Sequence, residues 1–160
     1  MLLRTLFIIL ILAAPAVAET VKDMAPRDGW VVTPTDKTFR TLVDDTRAAA
    51  GTGGLAVVTM AGPTEAAAGR GIDIRGNRII GLYNNDFAVR VLLLSTAAMI
   101  EAPVRVYVTE NADGTATLSY KLPSTVFAPY IAEAPDLGAV AAELDAAFAA
   151  VADAAVGPSR

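Results

Sequence analysis

Histidine and cysteine are both missing from this chain of 160 residues. Without histidine there is no imidazole general base and no Ser-His-Asp or Cys-His nucleophile. Without cysteine there is no thiol redox chemistry, and the usual zinc and haem ligands are gone with the two residue types together. An exported protein is free to use disulfides, but this one must hold itself together through its core or through a partner subunit. Aromatics are sparse at 6%, with one tryptophan in the whole chain. Basic residues are also outnumbered, 13 Lys and Arg against 17 Asp and Glu. An acidic surface disfavours nucleic acid and anionic membrane as partners. Any enzyme built on this chain would work with Asp, Glu, Lys, Tyr or Ser, and no cofactor is expected.

The one long hydrophobic run lies at the start. Arg4 is followed by an unbroken apolar stretch from Leu6 to Leu12, continued by alanines, and Ala16-Val17-Ala18 is a small-x-small cleavage pattern before Glu19. This reads as a secretory signal peptide over residues 1–18, cut after Ala18; a spanning helix needs about 20 apolar residues. The expected address is periplasmic or secreted, with no membrane insertion after cleavage. The remaining 142 residues suit one domain with one core. Loss of Arg4 leaves 12 basic against 17 acidic residues.

Residues 19–29 read as a flexible lead-in and residues 30–157 as a single domain. Trp30–Thr33 has strand character, and Pro34 disfavours helix at Thr33. A helix to about Ala50 follows, capped by Thr35 or Asp36, with Phe39, Leu42, Val43 and Thr46 on one stripe. Gly51-Thr52-Gly53-Gly54 ends it; a phosphate-cradling loop needs a strand before and a helix after, and here the order is reversed. Leu55–Met60 and Arg78–Tyr83 read as strands apolar on both faces, separated by a short helix from Gly62-Pro63 and by a solvated loop with Arg70 and Arg75. Asn85 or Asp86 is expected to cap a helix over Asp86–Ser95, while Asn84 fixes the strand-to-helix corner.

Strand Val104–Thr109 alternates cleanly, Val104, Val106 and Val108 against Arg105, Tyr107 and Thr109. Asn111-Ala112-Asp113-Gly114 is a hairpin turn. In the return strand to Leu122, Ala116, Leu118, Tyr120 and Leu122 share one face, and Thr117, Ser119 and Lys121 share a face that looks solvated. After a proline-rich connection, Asp136 should cap a final helix striped with Leu137, Val140, Ala141, Leu144, Phe148 and Val151. The order β-α-β-α-β-α-β-β-α, with a hairpin, predicts α+β: a small two-layer domain with one mixed or antiparallel sheet of about five strands, helices packed on it and a C-terminal helix. Strands apolar on both faces need cover on the second face, so a homodimer is expected.

With these segments placed, Phe39 to Tyr130 resembles the domain of unknown function family 302. The likeness rests on a glycine-ended helix before "GLAVV", on "RIIGLYNN" with its terminal asparagine, and on a Pro-led strand and hairpin, "PVRVYVTENADGTATLSY". The resemblance implies a small α+β domain able to dimerise, and little chemistry. It places Asn84, Pro103, Gly114 and Tyr120 at family positions, as fold residues first. The chain departs from the family where Asn-Pro becomes Asn84-Asn85, where Leu-Pro becomes Ala102-Pro103, and where an Asp-His pair is replaced at Met60-Ala61-Gly62.

Three functions follow for testing. The first is a non-catalytic binding or accessory domain, with Tyr83, Asn84, Arg105, Tyr107 and Tyr120 as a surface for a small organic ligand. The second is an envelope interaction module using the Ala-rich last helix. The third is an enzyme built on Ser119 and Lys121, two apart on one strand face; it would need Lys121 neutral, which a solvated face opposes.

Overall fold

The computed structural model describes residues 21–158, so the expected signal peptide lies outside the described residues. Five strands, β1 (Trp30–Thr38), β2 (Ala56–Ala61), β3 (Asn77–Tyr83), β4 (Val104–Glu110) and β5 (Thr115–Lys121), form one sheet in the order β1-β5-β4-β3-β2. Every neighbouring pair is antiparallel. The helices are α1 (Phe39–Ala49), α2 (Thr64–Ala68), α3 (Asn85–Leu94), α4 (Pro123–Phe127) and α5 (Leu137–Val156). The domain is α+β, as the order of elements implies.

The period-2 alternation sorts the sheet into two faces. Ile80 and Leu82 of β3, the three valines of β4, and Ala116, Leu118 and Tyr120 of β5 are buried beneath the helices. On them sit Leu42 of α1 and the full expected stripe of α5, Leu137 through Val151, all buried. Tyr120 stacks obliquely on Phe148 with ring centroids 5.5 Å apart. Burying an aliphatic or aromatic side chain of this size is worth about 1.5–3 kcal/mol, so this single layer of contacts carries the fold.

Several boundaries differ from expectation. The first strand does not stop at Pro34 but runs to Thr38. Because β1 is an edge strand, a proline with no N–H to donate is tolerated there. Helix α1 accordingly starts at Phe39, and Thr38, not Thr35 or Asp36, caps it by accepting from Thr41 N. Asp136 makes no side-chain cap at α5. The proline-rich connection contains the short helix α4, entered at Pro123 where a missing N–H is harmless. The glycine stretch is a 3-10 turn closing α1, and Gly114 provides the positive φ, 84°, that the hairpin turn requires.

The two strands expected to be apolar on both faces owe this to different causes. Strand β2 is the other edge, and its register slips between Val57 and Thr59, so Val58 and Met60 are exposed. Strand β3 lies inside the sheet and exposes Ile79 on the side away from the helices. That face is open.

Candidate functional site

The ladder registers define the rows of the open face. Trp30 is opposite Lys121, and Gly81 is opposite Arg105. One row further along, Val32, Ser119, Tyr107 and Ile79 line up across β1, β5, β4 and β3. A cleft of about 300 Å³ opens at the Trp30 end, lined by Trp30, Ile79, Glu101, Val104, Arg105, Tyr107, Tyr120, Lys121 and Val126. Glu101 belongs to the 3-10 turn Ala98–Glu101 ahead of β4, and Val126 to α4.

Gly81 sits beside Arg105 where a Cβ would collide with Thr59 Oγ1 and with the Pro103 ring. The Pro-led start of β4 therefore lies on a glycine, which accounts for both residues at that spot. Two cations lie over Trp30: the Arg27 guanidinium at 5.3 Å and the Lys121 ammonium at 5.6 Å from its ring centroids. Glu101 accepts a hydrogen bond from the Tyr130 hydroxyl at 2.8 Å. That bond to the carboxylate, with burial second, holds the Tyr130 hydroxyl protonated above its usual range.

The five residues expected to form a binding surface are divided by the structure. Arg105, Tyr107 and Tyr120 line the cleft. Tyr120, however, belongs to the helix-facing side and is only 2% exposed. Burial raises its phenol pKa, and Asp145 and Asp153 on α5 add to the effect. Tyr83 and Asn84 line a separate small hollow with Phe87 and Phe148 instead. Asn84 is the α3 cap: its Oδ1 accepts from Asp86 N at 2.7 Å and Phe87 N at 3.1 Å, while its Nδ2 donates to Gly54 O at 2.8 Å. The expected caps, Asn85 and Asp86, are the first residues of the helix.

Sequence reasoning did not single out Trp30, Ile79, Glu101 or Val126 for this place. Trp30 carried a signal, since an alternation traced back from Val32 puts it on the Lys121 face. Glu101 and Val126 carried none, because they come from turns whose positions are tertiary.

The face bearing Ser119 and Lys121 is not uniformly solvated. Ser119 is fully buried among Val32 and Tyr107, with its hydroxyl 3.4 Å from Tyr107 O, whereas Lys121 is exposed. Thr117 is buried too and donates to Asn111 Oδ1 at 2.9 Å. A serine with no room for a substrate and a lysine out in solvent do not make a nucleophile and its base. The arginine loop is also accounted for: Arg75 pairs with Asp23 at 2.6 Å, Arg78 pairs with Glu65, and Arg70 donates to Ala66 O. Asp23 additionally accepts from Ala112 N, so the lead-in touches the hairpin turn. Among the described residues no His, Cys, Asp or Glu group is placed to hold a metal ion, and no helix is long and apolar enough to cross a membrane.

A single antiparallel sheet backed by helices on one face, with a cleft on the other, defines a small α+β domain. The family model described as "Domain of unknown function DUF302" matches residues 31–155, and the chain belongs to that family. Its fold is similar to the crystal structure of an uncharacterized conserved DUF302 protein from Bacillus stearothermophilus, at TM-score 0.71 and 18% identity, covering 81% of this chain and 99% of that one. No curated protein matches the chain.

Proposed function

We propose that this protein is an exported, non-catalytic binding domain that holds a small organic molecule in the cleft at the Trp30 end of the open sheet face. The observation that carries the reading is the cleft itself: about 300 Å³, walled by Trp30, Ile79 and Val126 and rimmed by Arg105 and Lys121. An apolar concavity with a few polar groups is what small-molecule sites are made of. The missing histidine and cysteine and the buried Ser119 support a binding role over a catalytic one. The N-terminal signal pattern supports export. Thermal-shift screening of the mature chain against a metabolite panel tests the binding role. Stabilisation by a ligand that is lost in Trp30→Ala supports it, and no stabilisation across a broad panel refutes it.

A second reading concerns partners. Helix α3 buries only Ala88 and Val91, leaving Leu92 at 50% and Leu93 at 81% exposed, with Ile100 nearby in sequence at 79%. Its one basic residue, Arg90, is tied to Glu143 of α5 by two 2.6 Å bonds, so no free cation interrupts the apolar side. With its one acidic residue, Asp86, in the first turn, the apolar side of α3 is self-complementary and suits an isologous contact with a second copy. The proposed homodimer uses this face rather than the sheet. Sedimentation of the wild type and of Leu93→Glu tests it: a dimer that becomes monomeric is the expected result, and a wild type monomeric at tens of micromolar overturns it.

A further inference from the structure

The β4–β5 register, taken one step beyond the Val106–Tyr120 pair, sets Arg105 directly across from Lys121. Like charges opposed on neighbouring strands destabilise a sheet. Five other cations, Lys37, Arg47, Arg75, Arg78 and Arg90, each have an acidic partner. Among the described residues Arg105 has none, and Lys121 meets only the Trp30 face. The one carboxylate on the cleft lining, Glu101, accepts from Tyr130 and forms no salt bridge with either cation. In a protein of net charge −4, two opposed cations that form no salt bridge line its aromatic-walled cleft.

We propose that the ligand is a small aromatic carboxylate. Its carboxylate sits on Arg105 and Lys121, and its ring lies in the apolar part of the cleft beside Trp30. The guanidinium fork matches two carboxylate oxygens, and the ammonium adds a point charge. A volume of about 300 Å³ admits a single-ring acid and is at the lower end of small-molecule sites. Binding relieves the repulsion across the ladder, so the empty protein is arranged to favour the anion. This inference rests on the cleft being a ligand site and adds the class of ligand.

Trp30 is the only tryptophan, so its emission reports the cleft without labelling. The mature chain is titrated at low salt with benzoate and phenylacetate, and with benzamide and phenylacetamide as neutral counterparts. The acids are expected to change the emission saturably and to bind at least about tenfold tighter than the amides, the scale of one charge-assisted hydrogen bond. Arg105→Gln with Lys121→Gln, checked for native unfolding midpoints, is expected to remove that preference, so that acid and amide bind the variant alike. Amides binding as tightly as acids, or acid binding that survives the double substitution, overturns the carboxylate assignment and leaves a neutral-ligand cleft. Inorganic phosphate competing as well as benzoate overturns the aromatic part. No saturable response to either panel overturns the ligand site as well.

Discussion

Asn84 joins three elements through one side chain, and its two ends can be separated by substitution. The Oδ1 end accepts from the amides of Asp86 and Phe87 and so caps α3; the Nδ2 end donates to Gly54 O, tying the β3–α3 corner to the turn before β2. Removing a cap costs about 1 kcal/mol. An exposed intramolecular hydrogen bond sits at the lower part of the usual range, about 0.5 kcal/mol. Asn84→Ala loses both, about 1.5 kcal/mol, or roughly 5 °C in Tm for a domain of this size. Asn84→Ser keeps a good cap, since serine and asparagine rank together, but its hydroxyl is too short to reach Gly54; it loses about 0.5 kcal/mol. Urea unfolding followed by far-UV circular dichroism resolves the two values if the m-values agree. Because Asn84 lies outside the cleft, neither variant changes ligand titrations monitored by Trp30. The reasoning fails if Asn84→Ser is as unstable as Asn84→Ala, or if Asn84→Ala unfolds with the wild type.

Arg105→Gln removes half of the opposed cation pair and breaks no ion pair or hydrogen bond seen among the described residues. The ligand-free variant should gain a few tenths of a kcal/mol, about 1–2 °C, and the gain should shrink in 0.5 M salt; a loss of stability would mean that Arg105 has a stabilising partner. Gly53→Ala places a Cβ against the Ala147 carbonyl of α5 and against Val151 Cγ2 at 2.9 Å. Overpacking at a backbone contact predicts destabilisation of about 1–3 kcal/mol in chemical unfolding. Glu143 is held below its ordinary value of 4.5 by the Arg90 hydrogen bonds, with charge attraction also contributing. A depressed carboxylate pKa contributes stability above pH 4.5 that is lost as pH falls through the folded value, so the difference between wild type and Arg90→Gln should be present at neutral pH and vanish in acid. An NMR titration in which Glu143 has the same pKa in both proteins would refute the pairing.

What the sequence reveals here depends on how local the cause is. The stripe of α5 and the alternation of β4 are periodicities, and each of the residues they place inside is buried. Glycine turns are likewise local, as Gly54 and Gly114 show with φ of 68° and 84°. Pro34 misled because its tolerance in a strand depends on β1 being at the edge, a property of sheet order. The cap of α3 falls at Asn84 rather than at Asn85 or Asp86 because three successive polar residues all qualify chemically; the choice is made by Gly54, 30 residues away, to which Asn84 donates. For the expected site the separating signal is local: strand parity already sets Tyr107 with Arg105 and Tyr120 with Ala116 and Leu118, and the structure puts Tyr107 on the open face and Tyr120 under the helices.

The burial of Ser119 one row from the exposed Arg105 and Lys121 shows how an open face is graded rather than uniform. A small residue flanked by Val32 and Tyr107 is covered by its own neighbours, while long charged residues at the sheet's end rise clear of them. The centre of the face is therefore closed by side chains, and free volume collects toward its two ends, about 300 Å³ at Trp30 and about 460 Å³ beside Asn77, Tyr107 and Thr109. The apolar surface of α3 approaches the Trp30 end through one 3-10 turn: Ile100 is exposed on it, and the next residue, Glu101, lines the cleft. Tyr130 holds that turn from the other side through its hydroxyl. A second copy resting on Ile100 and a ligand resting beside Glu101 thus bear on adjacent residues of a single turn, and a contiguous piece of backbone joins the two proposed surfaces.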